Sequence, residues 1–200
     1  MVKYKVVIFD LNGVFLESEY LSERMEKKYG VSSDEFYSAL KEVMEIARKP
    51  GLEDSFKFWQ PHLKRLGLSL SKEEFFNFWF SGERLVPEVL KYVKELRKKG
   101  IKVFILSNNF KERTEYYRKN FPEIFENIDG AYFSWETGFV KPDPQAYQNI
   151  LRQNGLKPED CLYFDDSSKN IEVARGLGID AQEYQGLDKI KEEIKARFRP

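Results

Sequence analysis

The stretch VVIFDLNGVF, residues 6–15, combines the pattern of a buried strand with polar residues at its end. Four apolar residues lead directly into Asp10, and Asn12 follows shortly after it. A short apolar run bounded by turn-forming residues is typical of a strand that is buried on both faces. The stretch therefore raises two questions: why a buried strand ends on a carboxylate, and what an amide does where a second acid could stand.

Similar apolar runs recur along the chain and alternate with helical patterns. The predicted strands are KVVIF (5–9), KVFIL (102–106), AYF (131–133) and CLYF (161–164), with a weaker candidate at 180–184. The predicted helices are 88–99, 111–120, 144–154, 169–176 and an amphipathic surface helix at 187–198. Such alternation favours a parallel sheet with helices on both faces. We therefore predict an α/β fold with a doubly wound parallel sheet.

The segment after the first strand breaks this rhythm. Residues 16–86 show helical periodicity, contain no convincing strand pattern and are rich in aromatic residues. A crossover between parallel strands needs only one helix, so this segment is too long to be a simple connection. We predict a helical subdomain at 16–86, inserted into a core domain formed by residues 1–15 and 87–200. Its aromatic side chains are expected to form mostly its own core and its contact with the core domain.

Composition argues against several classes of function. The chain has 200 residues, and Lys+Arg and Asp+Glu both number 33, so the formal net charge is zero. No basic surplus attracts nucleic acid, and no apolar run approaches the roughly 20 residues that cross a bilayer. The single cysteine, Cys161, cannot form an internal disulfide, which fits a reducing compartment. We expect a cytoplasmic monomer or homodimer with no nucleic-acid or membrane partner.

Polar and charged residues follow the main predicted strands, where open parallel sheets bind their ligands. They are Asp10; Ser107, Asn108 and Asn109; Gly138, Lys141 and Pro142; and Asp165, Asp166, Ser167 and Ser168. Each residue alone has a structural explanation as a turn residue, a helix cap or a solvated side chain. Together they supply carboxylates, an ammonium and a hydroxyl with nearby backbone N–H groups. This combination favours the binding and attack of a phosphoryl group.

Four motifs carry a family resemblance. FDLNGV (9–14), LSNN (106–109), GFVKPD (138–143) and YFDDSSKN (163–170) resemble, in this order, the signature motifs of the haloacid-dehalogenase-like hydrolases. The resemblance spans nearly the whole chain and implies a Rossmann-like core, with 16–86 as a helical cap. The branch that the chain most resembles contains small-molecule phosphatases, such as glucose-1-phosphate phosphatase and the phosphatase domain of some epoxide hydrolases.

The resemblance implies a nucleophile and a metal site. Asp10 would attack phosphorus and form an aspartyl phosphate that water then cleaves. A Mg²⁺ ion would bridge Asp10 and a phosphate oxygen of a small phosphorylated substrate. Asp166 would be a direct metal ligand, with Asp165 beside it as a second ligand or a water anchor. Asn12 would supply its backbone carbonyl.

The remaining motifs would compensate charge and hold the phosphate. By the same resemblance, Lys141 would offset negative charge on Asp10 and on the phosphoryl oxygens. Ser107 and the backbone N–H of Asn108 would hold another phosphate oxygen at a helix N-terminus. For Asn170, a hydrogen bond that orients the acidic pair and a plain position on the helix surface both remain open.

Asn12 departs from the family pattern, in which phosphatases usually have an aspartate that protonates the leaving oxygen. An amide donates hydrogen bonds but does not give up a proton at ordinary pH. General acid–base catalysis is typically worth about 10²–10⁴ in rate. The substitution should therefore slow reactions with poor leaving groups most.

Several functions remain open at this point. A phosphatase could act on a substrate whose leaving group needs little protonation, or could use Glu17 or Glu19 as a substitute acid. A 2-haloacid dehalogenase would attack carbon without a metal, although dehalogenases tend to lack the acidic pair. A catalytically weak protein that binds phosphorylated metabolites is a third possibility, and a phosphotransferase is the least favoured. An asparagine introduced in place of a natural aspartate would also explain Asn12.

Overall fold

The computed structural model describes residues 5–52 and 54–197. The central sheet consists of β1 (Val6–Phe9), β4 (Lys102–Ser107), β5 (Gly130–Phe133), β6 (Cys161–Asp165) and β7 (Asp180–Glu183). All neighbouring pairs in it are parallel, and the strand order is β5-β4-β1-β6-β7. The predicted strands are confirmed, and each of their ends lies within one residue of the observed one.

The α-helices agree with the sequence prediction wherever one was made outside the insert. In chain order they are α1 (Leu21–Tyr29), α2 (Ser33–Ala47), α3 (Phe56–Arg65), α4 (Lys72–Phe80), α5 (Pro87–Lys98), α6 (Lys111–Asn120), α7 (Pro122–Glu126), α8 (Ser134–Thr137), α9 (Pro144–Asn154), α10 (Ser168–Gly176) and α11 (Leu187–Arg197). Residue 198 of the last predicted helix lies outside the described residues. The short helices α7 and α8 were not predicted.

The side chains of β1 alternate between two apolar cores. Val7 and Phe9 face the core shared with α5, α6 and α11. Val6 and Ile8 face the core shared with α9 and α10. Helices therefore cover both faces of the sheet, which confirms the doubly wound architecture. Because β1 lies between β4 and β6, Asp10 leaves the sheet at the centre of its carboxyl edge.

Residues 16–86 form α1 to α4, but the segment begins and ends in strands that the sequence analysis missed. β2 (Leu16–Ser18) and β3 (Glu83–Leu85) pair as an antiparallel ribbon, with Ser18 opposite Glu83. The expectation of no strand in this segment is therefore wrong. Three-residue strands are too short for a period-two pattern, and they exist only because distant parts of the chain pair.

An apolar cluster inside the helical segment includes Phe110, the residue that precedes α6. The cluster contains Trp59 and Phe75, both fully buried, and also Phe110, which is 1% exposed. The rings of Phe110 and Trp79 lie 5.1 Å apart between centroids. The helical segment is thus packed firmly onto the α/β part. The division into a core domain at 1–15 and 87–200 and a cap at 16–86 stays a prediction.

A membrane-spanning helix is not present in the part of the chain that the structure describes, because none of its helices is both long and apolar enough.

Candidate active site

A cleft of about 390 Å³ opens beside the carboxyl ends of β1, β4 and β6. Its lining residues are Asp10, Asn12, Gly13, Ser18, Tyr20, Arg48, Ser107, Asn108, Arg113, Lys141, Asp166 and Asn170. Of the residues given a catalytic, phosphate-binding or metal-binding role, all but Asp165 are among them, and Asp165 lies buried directly beside them. Polar residues at the same end of neighbouring parallel strands share one edge of the sheet, which explains this convergence.

Lys141 lies between two carboxylates. Its Nζ is 3.1 Å from Asp10 Oδ1 and 2.6 Å from Asp165 Oδ2. Burial alone would lower the pKa of the Lys141 ammonium, but the two carboxylates outweigh burial and raise it. Lys141 is therefore a fixed positive charge in contact with Asp10.

Hydrogen bonds occupy both oxygens of Asp165. Oδ1 accepts from the Ser167 N–H at 2.9 Å and from Asn170 Nδ2 at 2.8 Å. Oδ2 accepts from the Lys141 ammonium and from the Tyr163 hydroxyl. Burial raises the pKa of Asp165, but these partners, led by Lys141, hold it below its usual value. Asp165 is thus placed to orient Lys141, and Asn170 contacts it directly.

Asp166 is exposed and lies next to the loop after β1. A Cβ added at Gly13 would lie 3.4 Å from Asp166 Oδ2, and Gly13 has a φ of +80°. The left-handed backbone favours glycine at this position, and any other residue would bring its Cβ into van der Waals contact with Asp166. Burial, together with the nearby charge of Asp165, raises the pKa of the Asp166 carboxyl.

The acidic residues can converge on one cation. One carboxylate oxygen from each of Asp10, Asp165 and Asp166 lies within 4.8 Å of the others. Asp10 Oδ1 is buried and lies 3.1 Å from Lys141 Nζ, and among the described residues no other donor reaches it. Burial raises the pKa of Asp10, and Lys141 partly opposes this. Hard oxygen ligands that include an unsatisfied buried oxygen fit a small divalent cation such as Mg²⁺.

The end of β4 supports the loop that carries Lys141. The side chain of Asn108 donates from Nδ2 to the Lys141 carbonyl and accepts at Oδ1 from the Lys141 N–H, both at 2.7 Å. Ser107 is buried and lines the cleft beside it. The predicted contact of Ser107 and the Asn108 N–H with a phosphate oxygen stays a prediction.

Asn12 belongs to a chain of hydrogen bonds. Its Oδ1 accepts from Asn109 Nδ2 at 3.2 Å, and its Nδ2 donates to the Tyr117 hydroxyl at 2.7 Å. Asn109 is itself oriented by the Phe110 N–H, which donates to Asn109 Oδ1 at 3.0 Å. Both polar ends of the Asn12 side chain are therefore engaged with the protein.

The two glutamates considered as substitute acids do not line the cleft. Glu17 is exposed on β2. Glu19 forms ion pairs with Arg24 and Arg84. The structure therefore gives no support to the hypothesis that either one replaces the missing acid.

The helical segment and α6 contribute cleft residues that the sequence analysis missed. They are Ser18, Tyr20, Arg48 and Arg113. Arg113 donates from Nε and Nη2 to Glu83 Oε1 at 2.9 and 2.6 Å, and from Nη2 to Ser18 Oγ at 2.9 Å. No local pattern distinguishes these residues from the other polar residues of the chain. Their roles arise only when the helical segment folds over the sheet.

The fold and the cleft are those of an α/β enzyme with an acidic site at the carboxyl edge of its sheet. The model of the haloacid dehalogenase-like hydrolases matches residues 4–178, so the chain belongs to this family of hydrolases.

Two curated relatives are phosphatases. The chain is 28% identical over 193 residues to a phosphorylated carbohydrates phosphatase of Thermotoga maritima, a match that covers 88% of this chain and 82% of the relative. It is 33% identical over 95 residues to phosphatase MT3486 of Mycobacterium tuberculosis, a match that covers 48% of this chain and 44% of the relative. The chain spans less than half the length of several relatives that it matches.

Solved structures share the fold. A family enzyme of Bacteroides thetaiotaomicron, in complex with magnesium and inorganic phosphate, superimposes with a TM-score of 0.75 and 23% identity, covering 91% of this chain and 94% of the other. The L-2-haloacid dehalogenase of Xanthobacter autotrophicus gives a TM-score of 0.69 at 16% identity, covering 96% and 82%. At these identities the likeness establishes the architecture alone.

Proposed function

We propose that this protein is a Mg²⁺-dependent phosphatase that hydrolyses a small phosphorylated metabolite through an aspartyl phosphate on Asp10. The observation that carries the proposal is the setting of the Asp10 carboxylate, in contact with Lys141 and close to Asp166 within the cleft. Relatives named as phosphatases, and a family member crystallised with magnesium and inorganic phosphate, support it. A cleft of about 390 Å³ suits a small metabolite.

In this mechanism Asp10 is the nucleophile. A carboxylate oxygen of Asp10 bonds to phosphorus while the bond to the leaving oxygen breaks, and water then cleaves the aspartyl phosphate. Two anions meet in the first step, so Lys141, oriented by Asp165, compensates their charge. Ser107 and the backbone N–H of Asn108 would hold a further phosphate oxygen.

The carboxylates of Asp10 and Asp166 and the backbone carbonyl of Asn12 would hold the magnesium ion, with Asp165 behind them. When bound, the ion supplies positive charge that draws the nucleophile and the phosphate together. Because its own oxygens are already hydrogen-bonded, Asp165 contributes mainly through Lys141.

Asn12 narrows the range of good substrates. Its amide is held by Asn109 and Tyr117 and has no proton to transfer to a leaving oxygen. The enzyme should therefore favour phosphates whose leaving groups need little protonation, such as sugar 1-phosphates or acyl phosphates.

A 2-haloacid dehalogenase is the second candidate. The amide at Asn12 favours it, because a departing halide needs no proton, and so does the structural likeness to the Xanthobacter enzyme. However, Asp166 adds a second carboxylate to the cleft beside Asp10. Without a cation, this pair would repel the carboxylate of a haloacid, so we prefer the phosphatase.

The deciding experiment is a hydrolysis assay on an aryl phosphate, with and without Mg²⁺, followed by a panel of phosphorylated metabolites. We expect release of inorganic phosphate that requires Mg²⁺ and is abolished in Asp10→Asn, because the amide cannot attack phosphorus. Asp188→Asn is the matched control, because it removes a carboxylate that is 98% exposed and outside the cleft.

Three outcomes would contradict the phosphatase. Halide release from a 2-haloacid without metal would establish the dehalogenase. Tight binding of phosphorylated metabolites with no turnover would establish a binding protein. Full activity of Asp10→Asn would show that the nucleophile lies elsewhere.

A further inference from the structure

One cation in the cleft has no protein partner. Arg48 caps the C-terminus of α2, is half-buried and lines the cleft together with Asp10. Among residues 5–52 and 54–197, no group forms a hydrogen bond or an ion pair with its guanidinium. By contrast, Lys141 is paired with Asp10, and Arg113 is paired with Glu83. Arg48 is therefore available to a ligand.

Arg48 stands where the cleft meets a second cavity. This neighbouring cavity has a volume of about 350 Å³ and lies along α2 and beside Trp79. It shares Arg48 and Arg113 with the cleft that contains Asp10. A molecule held by its phosphate at Asp10 therefore reaches Arg48 as it extends toward the second cavity.

An unpaired guanidinium in this position lacks compensation for its lost hydration. Burial lowers the pKa of Arg48, the nearby Arg113 lowers it further, and Asp10 acts in the opposite direction. Arginine nevertheless keeps its charge at neutral pH. A planar guanidinium matches a carboxylate or a phosphate through two parallel hydrogen bonds. An anion is therefore the ligand that best compensates the Arg48 guanidinium for its lost hydration.

We propose that Arg48 binds a second anionic group, a carboxylate or a phosphate, on the leaving-group side of the substrate. The substrate class is then a phosphate monoester that carries a second negative charge. This inference rests on the proposed function, because it takes Asp10 as the site of phosphoryl transfer. There the transferring phosphoryl group would have Lys141, Ser107 and the Asn108 N–H as partners, which would leave Arg48 for the other end of the molecule.

The test compares matched substrates in wild type, Arg48→Gln and Arg48→Lys. One series consists of phosphorylated hydroxy acids of increasing chain length, and the other of their amides, which have the same size and lack the charge. We expect Arg48→Gln to lower kcat/KM by about 10–100-fold for the acid of best length and by less than about 3-fold for its amide. Arg48→Lys should recover part of the loss, since the charge remains and the paired geometry does not.

Lys49→Gln is the matched control, because it removes a positive charge from the adjacent, exposed residue. Its expected result is unchanged discrimination between acid and amide. Melting temperatures of all variants check that they are folded.

Two results would overturn the inference. Equal losses on acid and amide in Arg48→Gln would place Arg48 on the transferring phosphoryl group. A loss of kcat/KM on the acid but not on the amide in Lys49→Gln would show that any nearby positive charge has this effect. A third series carries a phosphate in place of the carboxylate. The anion that Arg48 binds is the one whose series loses more kcat/KM in Arg48→Gln.

Calorimetric titration with carboxyalkylphosphonates and plain alkylphosphonates, in the presence of Mg²⁺, separates this inference from the proposed function. Binding that depends on Arg48, without hydrolysis of any ester, would refute the phosphatase and keep the anion site. If aryl phosphates are hydrolysed but Arg48→Gln affects the acid and its amide equally, the anion site alone is refuted.

Discussion

At the scale of single residues, the network around Asn12 determines how the site would respond to an acid at this position. Asn109 is fixed by the Phe110 N–H, so it presents its Nδ2 to position 12. The Tyr117 hydroxyl accepts from Asn12 and also interacts with Glu83 and Arg113, so its proton would have to turn away from Glu83 to reach an acceptor at position 12. An aspartate at position 12 would therefore keep the Asn109 donor and would gain the Tyr117 hydroxyl as a second donor only after that reorientation.

Asn12→Asp is predicted to restore proton transfer. We expect kcat for alkyl phosphates to rise by up to about 10²-fold, and kcat for aryl phosphates to rise much less, because aryl leaving groups need little protonation. Steady-state kinetics on both substrate types measures the difference. Asn120→Asp, on the exposed side of α6, is the control and should change neither. An equal gain on both types would show that position 12 does not limit proton transfer.

Gly13→Ala is predicted to lower stability and activity through two effects. The positive φ of Gly13 disfavours any side chain by roughly 1–2 kcal/mol, and the new Cβ would come into van der Waals contact with Asp166 Oδ2, at 3.4 Å. We expect the backbone strain to lower the free energy of unfolding by about 1–2 kcal/mol, and the added contact with Asp166 to lower kcat/KM and raise the Mg²⁺ concentration for half-maximal activity. Gly100→Ala has a similar φ, of +77°, but nothing within 4 Å, so it isolates the backbone effect. A raised Mg²⁺ requirement in Gly100→Ala would contradict this assignment.

At the scale of elements, the beginning of α3 is tied to α6 by one carboxylate. Glu112 accepts from the Ser55 N–H and from Ser55 Oγ, both at 2.8 Å, and lies 3.8 Å from Lys72. The tie joins the helical segment to the part of the chain that carries Arg113, so it contributes to the shape of the cleft.

Glu112→Ala is predicted to destabilise the protein by about 1–3 kcal/mol, because the Ser55 donors lose a charged acceptor in a partly buried site. The free energy of unfolding, from urea titration, measures the effect. Glu115→Ala, exposed on the same helix, should stay within about 0.5 kcal/mol of wild type. Equal losses of unfolding free energy in both variants would show that the hydrogen bonds between Glu112 and Ser55 do not stabilise the protein specifically.

At the scale of the whole molecule, the two cores of the sheet and the cluster of the helical segment meet around β4 and the start of α6. Phe110 packs on Trp79 and Phe80, directly after the Asn109 that contacts Asn12. Loosening of the helical segment would thus disturb the cleft and the packing together. The cytoplasmic location and the monomeric or homodimeric state stay predictions.

Cys161 offers a probe of global opening, because it is the single cysteine of the chain. It is buried in β6, donates to the Lys157 carbonyl at 3.3 Å, and burial raises the pKa of its thiol to about 12. Thiolate is the reactive form, so we expect almost no reaction with a thiol reagent at pH 8 while the protein is folded. Reaction should follow unfolding as urea is added. Rapid labelling in native buffer would contradict this packing.

The strands of the central sheet, the order of the motifs and the residues at the strand ends could all be predicted from the sequence. Each of these depends on local signals: apolar runs, turn-forming residues and a carboxylate or lysine directly after a strand. Because parallel strands end at one edge of the sheet, the sequence alone predicted one shared cleft for Asp10, Ser107, Lys141 and Asp166.

The different surroundings of these residues depend on contacts that form only when the chain folds. Asp165 and Asp166 are neighbours in sequence, yet one is buried against Lys141 and the other faces the cleft. The β2–β3 ribbon and the position of Arg48 likewise depend on contacts between distant segments. Such contacts form when apolar surfaces pack, and they leave no periodic trace in the chain. For that reason the residues at the strand ends could be predicted from the sequence, whereas the cleft residues of the helical segment could not.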